Sequence, residues 1–343
     1  KDSTSGYMVK QNNSPTALTA DTYDTYTEAT GGTVITSGSF KTHVFTGDGC
    51  FVVSATGRGT QEAPNTVDYL VVAGGGAGGG YNSTNEGLGG GGAGGFRESL
   101  AASSPVHTPS GHTASPLKAT TGIVLTASTF PVTVGGGGAR VDVCTTNPAP
   151  GNNGSNSVFS TITSTGGGGG GSAGNNGKDG GSGGGGARGN VTTHPGGSGN
   201  TPPVSPSQGN DGGIGTPQPC TGTPAPVNSR NGGGGGGAGG AGQAGVGDGG
   251  PSPTRGSGDG GAHVNSSFDG TDREYAGGGG GAGGQPAQGA GGGGGGGAGS
   301  RGSNGQDATA NTGGGGGGGN NTATPGGAGN GGKGIVIIKY KFQ

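Results

Sequence analysis

The chain has 343 residues, 101 of them glycine and 20 proline, and only 24% are apolar, which excludes an oily core in proportion to its length. Lys and Arg number 16 against 18 Asp and Glu, with no block of either sign, which excludes the basic stripe of a nucleic-acid surface. No apolar stretch approaches the roughly 18–20 residues of a membrane-spanning helix; the longest are Tyr69–Ala73 and Ile335–Ile338.

Residues 1–30 are polar and rich in Thr, Asp and Tyr, with one alternating patch at Tyr7, Met8 and Val9. Such an arm has too little apolar surface to fold alone. It either packs along its own domain or docks on a neighbouring subunit, adding a strand to an open sheet edge. The first residue is Lys1, with no initiator Met and no apolar leader before it, which reads as a processed, exported chain.

Residues 31–73, together with 334–343, carry the strand signals. Thr33–Thr36 reads as a strand, Ser37-Gly38 as punctuation, and Phe40–Thr46 as a second strand. Gly47-Asp48-Gly49 reads as a hairpin turn, with Cys50–Ser54 following. Val67–Ala73 is apolar on both faces, as expected of a covered central strand. In the closing segment Val336, Ile338, Tyr340 and Phe342 share one face and Lys339 and Lys341 the other, so only its first half is expected to be buried on both sides.

Residues 74–333 are dominated by glycine runs, with interleaved strands at about 122–134 and 155–164. Strands run straight into glycine at VDYLVVAGGG, FPVTVGGGG, VFSTITSTGGGGGG and YAGGGGG, and the chain leaves glycine for a strand at GIVIIKYKF. Between Tyr275 and Ser300 two runs, Gly277–Gly284 and Gly289–Gly299 with alanine insertions, flank a short Pro/Gln turn. Glycine loses more backbone entropy on ordering than any other residue, so ordered runs of this length need compensation. Side chains cannot supply it; backbone donors and acceptors can. Extended glycine of the polyproline II type has three residues per turn, rises about 3.1 Å per residue and directs its unbonded N–H and C=O groups outward. Lacking Cβ atoms, such polyglycine II helices can approach closely enough to bond one another. Collagen is excluded because there is no strict G-X-Y period. The alanines Ala77, Ala93, Ala238, Ala282 and Ala298 are expected at outward or interlayer positions. No stretch shows a 3.6-residue period, so the expected fold is all-β: an antiparallel β-sandwich or jelly roll with an inserted bundle of polyglycine II helices and almost no α-helix.

The succession YLVVAGGG, TVGGGG, SVFSTITSTGGGGGG, YAGGGGG and GKGIVIIKY resembles the glycine-rich domain common in phage tail-fibre and virion-appendage proteins. It is also similar in type to the glycine-rich ectodomain of anaplastic-lymphoma-kinase receptors, where glycine helices are inserted in a tumour-necrosis-factor-like sandwich. The likeness covers roughly residues 31–343 and implies a fold and an extracellular setting rather than a chemistry.

Candidate chemistry is sparse. G-x-S-x-G at Gly170–Gly174 and Gly180–Gly184 lacks the strand, helix and partner residues of a nucleophile elbow, and glycine at this density generates the pattern by chance. The five histidines, His43, His107, His112, His194 and His263, fit no metal spacing. Asp-Gly pairs at Asp48, Asp179, Asp211, Asp248, Asp259 and Asp269 read as turns; Asp269 to Asp272 with Glu274 is the best remaining calcium candidate, but no calcium loop is present. No cofactor motif occurs. Cys144 and Cys220 both lie in Pro/Thr-rich excursions and are expected to pair, leaving Cys50 as a small buried hydrophobe. N-glycosylation sequons begin at Asn12, Asn82, Asn153, Asn190, Asn265 and Asn320, and the Pro/Ser/Thr-rich segments (Pro105–Pro116, Asn147–Pro150, Pro195–Pro206, Pro217–Pro226, Pro251–Pro253) have the composition of O-glycosylated stalks. With no Trp, and only Tyr81, Phe96 and Phe268 outside the strands and the arm, aromatic sugar platforms are few.

The expectation is a non-enzymatic structural subunit of an extracellular fibre, a homo-oligomer or helical filament assembled through the N-terminal arm. The alternative is a phage or virus adhesin whose inter-helix loops recognise glycans or a cell-surface receptor. Neither reading involves nucleic acid, a membrane span or a cofactor.

Overall fold

The computed structural model describes residues 25–59, 64–81, 86–100, 115, 117–141, 148–188, 194–216, 230–247, 256–283, 287–320 and 327–343. Tyr7, Met8, Val9, Asn12, Asn82, Cys144, Asn190 and Cys220 lie outside these residues, as do most of the Pro/Ser/Thr-rich segments. Among the described residues every regular element is a strand, and the fold is all-β. In chain order the strands are β1 (Glu28–Thr30), β2 (Thr33–Ser37), β3 (Phe40–Phe45), β4 (Gly49–Ala55), β5 (Thr66–Val72) and β6 (Gly80–Tyr81). Then come β7 (Phe96–Ser99), β8 (Lys118–Ala119), β9 (Ile123–Val124), β10 (Thr129–Thr133), β11 (Ser157–Phe159) and β12 (Ile162–Ser164). The last are β13 (Val264–Ser266), β14 (Arg273–Tyr275), β15 (Ser300–Arg301), β16 (Gly319–Asn320) and β17 (Ile335–Lys341).

Two sheets share one core. The first is ordered β1-β4-β10-β11-β12; the second is ordered β2-β3-β17-β5-β7-β8, with β9 also paired to β5. Alternation along each strand sends Phe51 and Val53 of β4, Val132 of β10 and Phe159 of β11 to meet Val67, Tyr69 and Val71 of β5 and Val336, Ile338 and Tyr340 of β17. Sheet pairing is antiparallel except between β7 and β8 and in the short three-stranded group β15-β16-β6, which is parallel. The opposite face of the second sheet is covered too. Leu70 and Val72 of β5 and Ile335 and Ile337 of β17 pack with Ala93, Phe96, Ala238, Val264, Phe268 and Tyr275. That second cover explains why β5 reads as a continuous apolar run.

Three strand expectations change. Gly47-Asp48-Gly49 does not close a hairpin: β3 belongs to one sheet and β4 to the other, so this segment crosses the sandwich. Asp48 Oδ1 accepts from the Val134 amide at 2.8 Å and ties the crossover to the end of β10. The hairpin is β2–β3, closed by Gly38-Ser39 with Gly38 at φ 55°. In β17 the burial extends to Tyr340, because Lys339 lies beneath the β13–β14 hairpin and donates from Nζ to the Phe268 carbonyl at 3.4 Å. Cys50 is exposed on the outer face of β4, since its neighbour Phe51 takes the inward position.

Candidate functional site

Each strand that enters glycine continues as an extended rod bonded sideways to other rods. Along the first, Gly74 and Ala77 donate to the carbonyls of Ser155 and Asn152, Gly75 and Gly78 to Gly332 and Gly329, and Gly76 and Gly79 to Gly92 and Gly89. The direction of donation repeats every third residue. In return Gly167 and Gly170 donate to Gly74 and Ala77, Gly316 and Gly319 to Gly76 and Gly79, and Gly138 to Gly75. This rod therefore contacts six others, giving to three and receiving from three. The returning rod repeats the rule: Gly89, Gly92 and Gly95 donate to Gly171, Gly168 and Thr165, while Gly90 and Ala93 donate to Gly233 and Gly236. Nearly every interior amide is paired, as buried backbone requires.

Close approach is what demands glycine. A Cβ at Gly235 would lie 2.0 Å from the Gly91 carbonyl oxygen, and one at Gly90 would lie 2.0 Å from that of Gly279. The alanines occupy the few directions with room. Ala93 and Ala238 do sit between layers, in the cluster under β5 and β17. Ala77 and Ala282 are buried inside the bundle, and Ala298 is partly exposed. Gly291–Gly297 is not a single rod either: Gly293, Gly294 and Gly295 have φ of 76°, 49° and 82° and reverse the chain.

At the periphery a rod lacks a neighbour on one side, and polar side chains accept in its place. Gly166 and Gly169, three residues apart, donate to Oδ1 of Asn156 and Asn153, each at 2.9 Å. Asp179, Asp211, Asp259 and Asp307 accept from the amides of Ser198, Gly199, Ala290 and Asn330 at 2.6–2.7 Å. The Asp-Gly pairs at Asp179, Asp211 and Asp259 are thus edge acceptors of rods rather than turns. Asp269 keeps its turn role, accepting from the Thr271 amide at 3.1 Å and from Arg273 Nε at 2.9 Å.

The chain shuttles between the sandwich and the far end of the bundle. Residues flanking segments 82–85, 142–147, 189–193, 217–229, 248–255, 284–286 and 321–326 gather at that far end, whereas Leu100 and Ser115, which flank 101–114, lie beside β7 and β8 at the sandwich. Gly80 pairs with Ala149, Tyr81 with Asn320, Asn231 with Gly283 and Val246 with Gly256, and the Ser257 amide donates to Ala287. There Glu86 joins Arg188 at 2.6 Å and lies 3.9 Å from Arg230, while Asn320 Nδ2 donates to the Glu86 carbonyl at 3.0 Å. One acidic residue thereby links four rods. This staple of separated residues left no local signal in the sequence.

A second buried polar group lies against the sandwich. Glu98 of β7 accepts from Ser266 Oγ at 2.6 Å and from the Ser115 amide at 3.1 Å. Burial pushes its carboxyl up to about 7, against the opposing pull of those two donors. Asp68 accepts from Ser99 Oγ at 2.8 Å. Burial lowers the Lys339 ammonium and raises the Tyr69 and Tyr275 hydroxyls. His43 is held between the Gly31 carbonyl, 2.7 Å from Nδ1, and Tyr340 Oη, 3.2 Å from Nε2. Burial lowers its pKa, so the neutral ring with Nδ1–H donating to Gly31 suits the site, and the Tyr340 hydroxyl, pushed up to about 12 by burial, donates to Nε2.

Other sequence candidates fall in places that suit packing. Ser172 and Ser182 of the G-x-S-x-G patterns are buried rod positions. His194 meets Asn176, and His263 meets Gly292 and Glu274. Among the described residues no group of three His, Cys, Asp or Glu side chains is arranged for a metal, and no helix is long and apolar enough to cross a membrane. Phe96 and Phe268 are buried in the second core cluster and Tyr81 is in β6, so neither phenylalanine offers a face to a sugar. Of the sequon asparagines described, Asn153 and Asn265 are exposed, whereas Asn320 is buried with both ends of its amide engaged and is closed to modification in the folded state.

The family model of the glycine-rich domain matches residues 52–341. No curated protein matches the sequence. The match spans most of the sandwich and the whole bundle, and the chain belongs to the glycine-rich domain family.

Proposed function

We propose that this member of the glycine-rich domain family is a non-enzymatic structural subunit of an extracellular fibre, assembled with copies of itself through its N-terminal arm. In this reading the rods are polyglycine II helices, and the three-residue repeat of their bonding directions supports that assignment. The observation that carries the function is the interior: main-chain bonds in three directions, with few rotamers to fluctuate and few charged or apolar groups to expose. Such a block suits stiffness better than catalysis. Electron microscopy of the isolated full chain tests it: long uniform filaments support the subunit reading, and dispersed particles at every concentration oppose it.

A second reading, favoured by one specific observation, is an adhesin of a phage tail fibre or other virion appendage. The rod ends at Gly80–Tyr81, Asn231, Gly283 and Asn320 converge on the far end of a backbone-bonded scaffold, the kind of rigid support on which binding residues are commonly mounted. Localisation of the protein to virion tips, with receptor binding lost when residues 217–229 are exchanged for a Gly/Ser segment, would favour this reading over the first.

A further inference from the structure

Four strands end the two main sheets, and three of them are guarded. Exposed edges invite pairing unless they are short, charged, bulged or covered. β1 has three residues, carries Glu28 and has a register break between Glu28 and Ala29. β8 has two residues, one of them Lys118. β12 has three residues and runs directly into the glycine bundle. β2 differs on every count. Its five residues, Thr33-Val34-Ile35-Thr36-Ser37, carry no charge and no proline, keep an unbroken register with β3 and are all exposed. Val34 is 47% exposed and Ile35 39%. No described segment pairs with its outer side.

The register identifies which groups that side offers. Ser37 and Phe40 flank the two-residue turn and form its bonded pair. Alternation then directs Ile35 and Thr33 toward β3, and directs the N–H and C=O groups of Val34 and Thr36 to the open side.

We propose that this open side takes an extended strand from a second copy of the chain, namely the segment around Tyr7–Lys10 of its N-terminal arm. The proposal rests on the fibre reading above and names the acceptor for its arm. Twenty-four residues precede Thr25, outside the described structure. Thr25 and Tyr26 enter along a groove lined by Ala29 of β1, Ser54 and Ala55 on the first sheet and by Lys41 of β3 and Phe342 on the second. The roughly 15 residues from Lys10 to Thr25 can span up to about 50 Å, far enough to reach another molecule. The match is also chemical. Val34 and Ile35 offer apolar contacts on opposite faces of the sheet, and in an extended arm Tyr7 and Val9 would lie on one face and Met8 on the other. Affinity would come from main-chain bonds, with the side chains fixing register.

Sedimentation velocity on the full chain and defined variants tests this. Thr36→Pro removes an outward N–H without touching the bonds to β3; Val34→Lys adds a guarding charge instead. Unchanged melting temperatures verify that each variant folds. The wild type should polymerise, whereas Thr36→Pro, Val34→Lys and a chain lacking residues 1–24 should each remain monomeric, with association weakened at least tenfold. Mixing the arm-deleted chain with Thr36→Pro should give a dimer that grows no further, since one supplies only an edge and the other only an arm. Polymerisation of Thr36→Pro at wild-type strength would overturn the edge assignment while leaving assembly intact. Dimerisation of the arm-deleted chain alone would replace the arm by direct β2–β2 pairing and so overturn it too. A wild type that stays monomeric throughout would overturn both this proposal and the fibre reading.

Discussion

At Gly136 an added Cβ meets nothing within 4 Å, whereas at Gly235 it would meet the Gly91 carbonyl oxygen at 2.0 Å. The two positions look alike in the sequence and separate only through their neighbours. Gly235→Ala should destabilise by about 1–3 kcal/mol or more, because the obstacle is backbone and cannot rotate away. Gly136→Ala should be neutral or stabilise by about 0.4–1 kcal/mol through the unfolded chain; urea midpoints of the pair check both. Glu98 supplies a pH test. Its folded pKa is raised to about 7, above the ordinary 4.5, so the folded state holds its proton over that window. Stability from this group is therefore greatest below pH 4.5 and is lost as the pH rises to 7, by at most about 3 kcal/mol. In Glu98→Gln the side-chain oxygen can still accept from the Ser115 amide, while an uncharged N–H takes the place of the oxygen that accepts from Ser266 Oγ, whose hydroxyl must then turn. Thermal melts of Glu98→Gln should lose the decline between pH 4.5 and 7 and exceed the wild type at pH 8. Cys50 shows where residue-level reading fell short: its apolar character suggested burial, but the pleat gave the inward place to Phe51.

The rods show more of themselves in the sequence than their side chains do. Strand-into-glycine junctions at Ala73, Val134 and Tyr275 are where the structure has them, and β5 and β17 lie where their apolar runs indicated. Purity of a run also tracks depth. Gly166–Gly171, Gly232–Gly237, Gly277–Gly281 and Gly313–Gly319 are buried, while the mixed segments Asn152–Asn156 and Ala241–Gly247 are exposed or half-buried. The reason is geometric: only an outer rod has a direction free for a side chain. Gly291–Gly297 breaks this rule because composition does not distinguish extended from left-handed glycine. The polar caps were misread as turns for a related reason, since an Asp before Gly signals a local bend unless a neighbouring rod presents an amide. Asp259→Ala should cost about 0.5–1.5 kcal/mol and should speed hydrogen exchange at the Ala290 amide, to which Asp259 is bonded, while leaving Gly278 and Gly279 unchanged. Equal acceleration throughout the bundle would instead indicate global loosening.

For the molecule as a whole, magnitudes decide what the bundle needs. Ordering a residue costs about 1–2 kcal/mol, and a backbone hydrogen bond returns about 0.5–1.5 kcal/mol net. One bond per glycine therefore roughly cancels the cost, and the surplus has to come from close packing and from the base on which the rods stand. That base is the pair of apolar clusters on the two faces of the second sheet, with the Glu86 staple holding the far end. The all-β class was legible from strand patterns. The six-neighbour arrangement and the far-end convergence were not, because they join runs of near-identical glycine sequence from separate parts of the chain. Amide hydrogen exchange on the native full chain tests the central claim most directly. If backbone bonds between rods form the interior, the amides of Gly89–Gly95, Gly232–Gly237 and Gly277–Gly281 should be protected to the same order as those of β5 and β17. Exchange of these glycines at the rate of an unstructured chain, with β5 and β17 still protected, would contradict it.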